Sequence, residues 1–137
     1  MADIRENRQQ MQTLLAQIGQ TTYEMTSPDW TRAVVGYFLE GESGIPHQQI
    51  HIYSVREDDY VDIMEASWEH EEYDDPITEL GDHCQALAEL CARAGDRWTG
   101  MTFVLNRNGT FNVDYSYDPI DDYGPRFIRE WQSQHLV

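Results

Sequence analysis

Residues 98–118 read WTGMTFVLNRNGTFNVDYSYD, in which two runs rich in apolar and β-branched residues flank an Asn-Gly pair. This pattern predicts a β-hairpin, and the length of the loop decides which side chains share a face. A two-residue Asn-Gly turn would place Phe103 opposite Asp114. A three-residue loop over 107–109 instead places Phe103 opposite Val113. Because a slip of one residue turns a whole strand over, we predict the three-residue loop, which keeps the apolar side chains together.

The three-residue loop has two consequences for the hairpin. It requires a positive φ at its third position, and Gly109 adopts that conformation without steric cost. It also pairs Leu105 with Phe111 and Met101 with Tyr115. We expect the helices to pack on the apolar face that results, which comprises Met101, Phe103, Leu105, Phe111, Val113, Tyr115 and Tyr117.

Apolar residues at helical spacing predict an N-terminal helix, a central helix and a short C-terminal helix. We expect Asp3 to cap the first helix and Gly19 to end it. Asp75 is the expected N-cap of the central helix, Pro76 suits its first position, and Gly95 follows its last turn. The expected spans and buried residues are 3–18 with Ile4, Met11, Leu14, Leu15 and Ile18; about 76–94 with Ile77, Leu80, Cys84, Leu87 and Cys91; and from Pro125 with Phe127, Ile128 and Trp131.

Runs of β-branched and aromatic residues predict further strands at 30–39, 49–56 and 60–68. Glycine and proline mark a loop at 40–46, and an acidic turn is expected at 119–124. Since tight hairpins favour antiparallel pairing, the sequence predicts the α+β class: an antiparallel sheet built around the C-terminal hairpin and packed with the three helices. The length of 137 residues suggests one domain.

The composition is strongly acidic, with 25 Asp and Glu against nine Arg, no Lys and a net charge of −16. A surface of this kind repels nucleic acid and anionic lipid and attracts basic partners, so neither a nucleic acid nor a membrane is an expected partner. The 40% of hydrophobic residues still indicates a folded core. The sequence has no signal-peptide pattern and no apolar run long enough to span a bilayer, and we expect a cytoplasmic protein.

The negative charge is concentrated in one part of the chain. Nineteen of the acidic residues and five of the arginines fall within 57–137, and ten of those acids lie within 57–75, which we call the acidic segment. Clustering like charge costs folding stability, which favours a docking surface for a basic protein over an acidic surface without function. Aromatic residues within a charged rim are typical anchors of protein interfaces. The candidate binding residues are Asp58, Asp59, Tyr60, Asp62, Glu65, Trp68, Glu69, Glu71, Glu72, Tyr73, Asp74 and Asp75.

The sequence contains no Gly-rich phosphate loop, no Cys-x-x-Cys pair and no Gly-x-Ser-x-Gly elbow. Cys84 and Cys91 share a helical stripe about 10 Å apart, too far for a disulfide, and are expected to be core residues rather than a metal or redox pair. Asp114 and Asp118 could form a carboxylate pair, but solvent-facing alternation with Asn112 and Ser116 in the hairpin is the favoured interpretation. The acids around His70 lack the spacing of metal ligands. We therefore predict no catalytic residue, no metal and no cofactor.

The C-terminal pattern resembles the YezG-like immunity (antitoxin) family of bacterial polymorphic toxin and contact-dependent inhibition systems. The resemblance rests on WTGMTF at 98–103, NGTF at 108–111, DYSYD at 114–118 and Pro125-Arg126 before Trp131. It implies a small cytosolic bacterial protein, one immunity domain over 1–137, that binds and neutralises the toxic C-terminal domain of a cognate toxin. Such toxin domains are commonly nucleases.

Charge and resemblance lead to the same function. A nuclease must be basic where it holds phosphate, so an acidic protein can compete for that surface. We predict an immunity protein that binds a basic toxin domain through the acidic segment. The alternatives are a small carboxylate- or metal-dependent hydrolase that uses Asp114 and Asp118, and an acidic mimic of nucleic acid that regulates a basic host protein.

Overall fold

The centre of the fold is an antiparallel sheet of five strands, in a computed structural model that describes residues 4–137, with side chains from Glu6 onward. The strand order is β3 (Asp59–Asp62), β2 (Ile45–Ser54), β1 (Trp30–Glu40), β4 (Gly100–Asn106), β5 (Phe111–Ser116), so β1 lies in the middle and the predicted hairpin forms one side. The α+β prediction is confirmed. The elements are α1 (Ile4–Glu24), β1 (Trp30–Glu40), β2 (Ile45–Ser54), β3 (Asp59–Asp62), α2 (Ile63–Ala66), a 3-10 turn (Glu71–Tyr73), α3 (Asp74–Arg93), β4 (Gly100–Asn106), β5 (Phe111–Ser116) and α4 (Pro125–His135).

The register predicted for the hairpin is confirmed. Phe103 lies opposite Val113, Met101 lies opposite Tyr115, and the loop contains three residues. Gly109 has a φ of 89°, the left-handed conformation that the loop requires.

Both faces of the sheet are covered by helices. On one face Ala33, Val35 and Phe103 are buried in a core to which α1 and α3 contribute apolar side chains, and both Cys84 and Cys91 are buried and free there. On the other face the side chains of α4 pack in a smaller cluster, which comprises Val34, Phe38, Val104, Ile120 and Trp131.

Two residues of the predicted apolar face are not covered. Phe111 is 41% exposed and Tyr117 is 55% exposed. They lie at the start of β5 and just beyond its end, and no described strand pairs with the outer side of β5. The expectation that the helices cover the whole of this face is therefore wrong at these two residues, although Phe111 still stacks on the buried ring of Phe103.

The first helix is longer than predicted. It continues through Gly19 to Glu24, and Thr21 and Thr22 are buried on the stripe that begins with Ile18. A Cβ at position 19 would lie 3.5 Å from Cζ of Phe103, an ordinary contact distance, so the helix passes through Gly19 and the prediction that this glycine ends it is wrong. Asp3, the predicted cap, lies outside the described residues.

The third strand is shorter than predicted and ends at Asp62, not at residue 68. The carboxylate of Asp62 accepts a hydrogen bond from the backbone N–H of Glu65 at 3.2 Å and caps α2, which replaces the rest of the predicted strand. The start of α3 is also corrected. Tyr73 and not Asp75 is its N-cap, because the 3-10 turn leads directly into the helix. Pro76 fits the first turn, where its missing N–H has no helical acceptor to lose.

Candidate binding surface

The acidic segment follows one edge of the sheet. It begins in the turn before β3, continues through β3 and α2, and ends in the first turn of α3. Nine of its ten acidic side chains are exposed, and Asp62 is half-buried. Most of the predicted binding residues are therefore exposed, along one continuous stretch of the chain that includes the edge strand β3.

The negative charge of the acidic segment is almost unpaired within the described residues. Its one ion pair joins Nδ1 of His70 to Oε1 of Glu72 at 3.5 Å, and no described arginine contacts one of its carboxylates. Because both groups of that pair are largely exposed, it contributes little to stability. The charge is thus presented to solvent or to a partner.

Three acids of the segment hold the local structure. Asp58 accepts a hydrogen bond from the hydroxyl of Tyr53, and it has a φ of 51° in the turn between β2 and β3. Asp59 accepts one from the backbone N–H of Tyr60 at 2.7 Å, and Asp62 caps α2. Variants that test binding should therefore avoid these three residues.

The aromatic residues of the segment differ in exposure. Trp68 is 87% exposed, the highest value among the large hydrophobic side chains of the described chain. Tyr73 is half-buried against the main core. The hydroxyl of Tyr60 accepts a hydrogen bond from Arg32 and donates one to the carbonyl of Val137 at 3.2 Å. Only Trp68 has the exposure of an unoccupied interface anchor.

A hydrogen-bond cluster fixes where the segment begins. The carboxylate of Asp29 accepts from the hydroxyl of Ser54 at 2.6 Å, from the backbone N–H of Arg56 at 2.8 Å and from the hydroxyl of Ser27. These donors, Ser27 first, hold the pKa of Asp29 well below its ordinary value. Sequence patterns do not single out Asp29, because two of its donors, Ser54 and Arg56, lie at the end of β2 and just beyond it.

His51 is a buried residue of β2, next to the acidic segment. It is 3% exposed, and Asp62 is its partner across the β2–β3 ladder. Its Nε2 is 2.7 Å from Oε1 of Gln49, whose amide nitrogen in turn donates to the hydroxyl of Tyr123, so the ring donates to Gln49. Burial lowers the pKa of His51, and the nearby carboxylate of Asp62 opposes this shift.

The structure also brings Asp114 and Asp118 together, in a cleft of about 400 Å³ between β5 and α4. The same cleft is lined by Glu130, Trp131 and His135, which no sequence pattern connects with the hairpin. Only the tertiary placement of α4 brings them there. Among the described residues, no group of three or more His, Cys, Asp and Glu side chains is arranged to hold a metal ion.

A family model described as immunity protein YezG-like matches residues 11–135. The match extends from α1 to the end of α4, well beyond the C-terminal pattern that carried the resemblance. The chain belongs to the YezG-like immunity protein family. Membership in this family implies an immunity function with a toxin as partner, and it suggests a non-enzymatic inhibitor. No curated protein matches the chain. No helix among the described residues combines the length and the apolar character needed to cross a membrane.

Proposed function

We propose that the protein neutralises a basic toxin domain, a nuclease, in the cytoplasm by docking the acidic segment against it. The observation that carries this proposal is the set of ten acids that lack a described arginine partner and flank the exposed Trp68 in the sequence. In the proposed mechanism the toxin belongs to a polymorphic or contact-dependent inhibition system, and the protein performs no catalytic step.

Electrostatics explains why this surface suits such a partner. A nuclease presents arginine and lysine where it holds phosphate, and a dense array of carboxylates competes for the same groups. Opposite charge also steers the two proteins together, which raises the association rate. Rapid capture favours an inhibitor that must act before the toxin cleaves its substrate.

Trp68 has a different part in the proposal. Rim charges are screened by salt over about 8 Å at physiological ionic strength and supply little affinity once the complex has formed. A large aromatic side chain that becomes buried in a pocket supplies much more. We therefore assign recognition at a distance to the carboxylates and retention of the toxin to Trp68.

The test is inhibition of the purified cognate toxin domain, measured as loss of nuclease activity on stoichiometric mixing. We expect the unaltered protein to inhibit and Trp68→Ala to require at least about tenfold more protein, since an interface hot spot contributes about 2 kcal/mol or more. Glu69→Gln with Glu71→Gln removes two charges without removing a described side-chain hydrogen bond, and should also weaken inhibition. Glu24→Gln with Glu42→Gln makes the same charge change on exposed residues outside the segment and is the matched control.

Equal inhibition by all four proteins would show that the acidic segment is not the interface. A toxin domain whose activity is not on nucleic acid would overturn the nuclease assignment while leaving the immunity function in place.

A further inference from the structure

The cleft between β5 and α4 has an apolar floor. Phe38, Ile120 and Trp131 are all buried and line it, and Phe127 is half-buried beside them. The floor is held in a fixed position, because Nε1 of Trp131 donates to the buried hydroxyl of Thr102 at 2.9 Å and its ring packs edge-on against Phe38. The cleft is therefore a preformed feature of the fold.

Glycine makes room for this floor at one position in particular. A Cβ on Gly36 would lie 2.7 Å from the ring of Phe38 and 2.8 Å from that of Trp131. Contacts this short do not occur, so glycine is required at position 36 of the middle strand for both rings to pack against the sheet.

The rim of the cleft is acidic. Asp114, Asp118 and Glu130 are all exposed at its edge, and no arginine is among the described residues that line it. Glu130 accepts a hydrogen bond from Nε of Arg126 at 3.3 Å, but both side chains are largely exposed and such a pair is readily replaced. Nδ1 of His135 donates to the carbonyl of Trp131 at 2.9 Å, which leaves the other ring nitrogen as an acceptor in the neutral form.

We propose that this cleft binds an arginine side chain of a basic protein partner. Charge complementarity selects the occupant: the rim supplies three carboxylates and the floor supplies aromatic rings. The guanidinium group is planar, pairs with carboxylates through two parallel hydrogen bonds and packs on aromatic faces, while its aliphatic stem covers apolar surface. A lysine ammonium lacks the planar fork and fits this combination less well.

The cleft lies at the opposite edge of the sheet from the acidic segment. Four strand spacings of about 4.8 Å separate β3 from β5, so the two edges are about 19 Å apart. The identification of the toxin as the protein that supplies the arginine rests on the proposed function. The binding of arginine by the cleft does not.

The experiment is a titration of the ¹⁵N-labelled protein with N-acetyl-arginine amide, followed by NMR. We expect the indole N–H of Trp131 and the backbone N–H of Asp114 to shift together and to saturate. N-acetyl-citrulline amide has the same shape without the charge and should produce much smaller shifts.

Asp114→Asn with Asp118→Asn should weaken arginine binding about tenfold, since each charged hydrogen bond contributes more than a neutral one. Glu69→Gln with Glu71→Gln, in the acidic segment, should leave it unchanged.

Equal shifts with arginine and citrulline, or shifts confined to the acidic segment, would overturn the proposal. Unchanged binding by the double variant would overturn it as well. The thermal midpoint of the double variant shows whether its fold is intact. If it is not, the single variant Glu130→Gln tests the same acidic rim and should also weaken arginine binding. If arginine fails to bind while Trp68→Ala still weakens inhibition of the toxin, the cleft proposal fails and the proposed function stands. If arginine binds and Trp68→Ala has no effect on inhibition, the cleft proposal stands and the proposed role of the acidic segment fails.

Discussion

His51 shows how one buried residue ties stability to pH. The ring is almost completely buried between Asp62 on the neighbouring strand and Trp131 of α4, whose ring centroid is 5.8 Å away. Burial lowers the pKa of His51 from its ordinary value of 6.5, and Asp62 only partly opposes this. The folded protein therefore holds a neutral imidazole at neutral pH, which explains why a histidine is tolerated within a sheet face.

The pH dependence of stability follows from the sign of this shift. Above the pKa that His51 has in the unfolded chain, the ring is neutral in both the folded and the unfolded protein. As the pH falls below 6.5 the unfolded chain takes up a proton that the folded chain does not, so the free energy of unfolding decreases, by at most about 1.4 kcal/mol per pH unit. Urea unfolding between about pH 7.5 and pH 5.5 measures this slope. We expect His51→Gln to make the slope shallower, with His70→Gln, which alters an exposed ring, as the matched control. An unchanged slope in His51→Gln would assign the pH dependence to other groups.

At the scale of elements, the features that depend on local sequence were predictable and those that depend on distant contacts were not. The hairpin register, the conformation of Gly109 and the buried stripe of α3 follow from alternation, turn chemistry and helical spacing. The end of α1 was missed because the helix continues through Gly19, and the burial of Thr21 and Thr22 beyond it is a tertiary property. The early end of β3 carried a local signal, the capping residue Asp62, but it was outweighed by the β-branched and aromatic residues around it.

The same distinction holds for the candidate sites. The acidic segment is continuous in sequence, so its residues could be listed from the sequence, whereas the exposure of Trp68 and the half-burial of Tyr73 required the structure. The cleft assembles residues from the hairpin and from α4, and it depends on how α4 lies on the sheet. Strand order is a tertiary property too, and local patterning did not reveal that β1 and not the hairpin lies at the centre.

The hairpin provides a prediction about stability. Phe103 is completely buried and stacks on Phe111, with ring centroids 5.1 Å apart, although Phe111 is 41% exposed. We expect Phe103→Ala to lower the free energy of unfolding by about 3–5 kcal/mol, because it removes buried contacts and leaves a cavity. Phe111→Ala removes the same atoms from the other member of the pair and should cost clearly less, since part of that ring already contacts water. Chemical denaturation of the three proteins measures both effects, and equal losses would contradict the burial of Phe103 at the centre of the core.

At the scale of the whole molecule, charge and aromatic exposure meet on one edge of the sheet. A net charge of −16 with ten acids in residues 57–75 opposes folding through self-repulsion, and the two helix-covered faces of the sheet supply the apolar burial that offsets it. The fold therefore holds closely spaced like charges at its surface, and apolar burial offsets their repulsion. In an immunity protein, that distribution is explained if a basic partner neutralises it.

The most direct test is the kinetics of toxin binding at low and at moderate salt. For Glu69→Gln with Glu71→Gln we predict slower association and a weaker dependence on salt, because rim charges act through steering. For Trp68→Ala we predict association within about twofold of the unaltered protein and dissociation at least about tenfold faster, because a buried anchor acts after contact. Association and dissociation rates that are the same for all three proteins at both salt concentrations would contradict the assignment of the acidic segment as the toxin-binding surface.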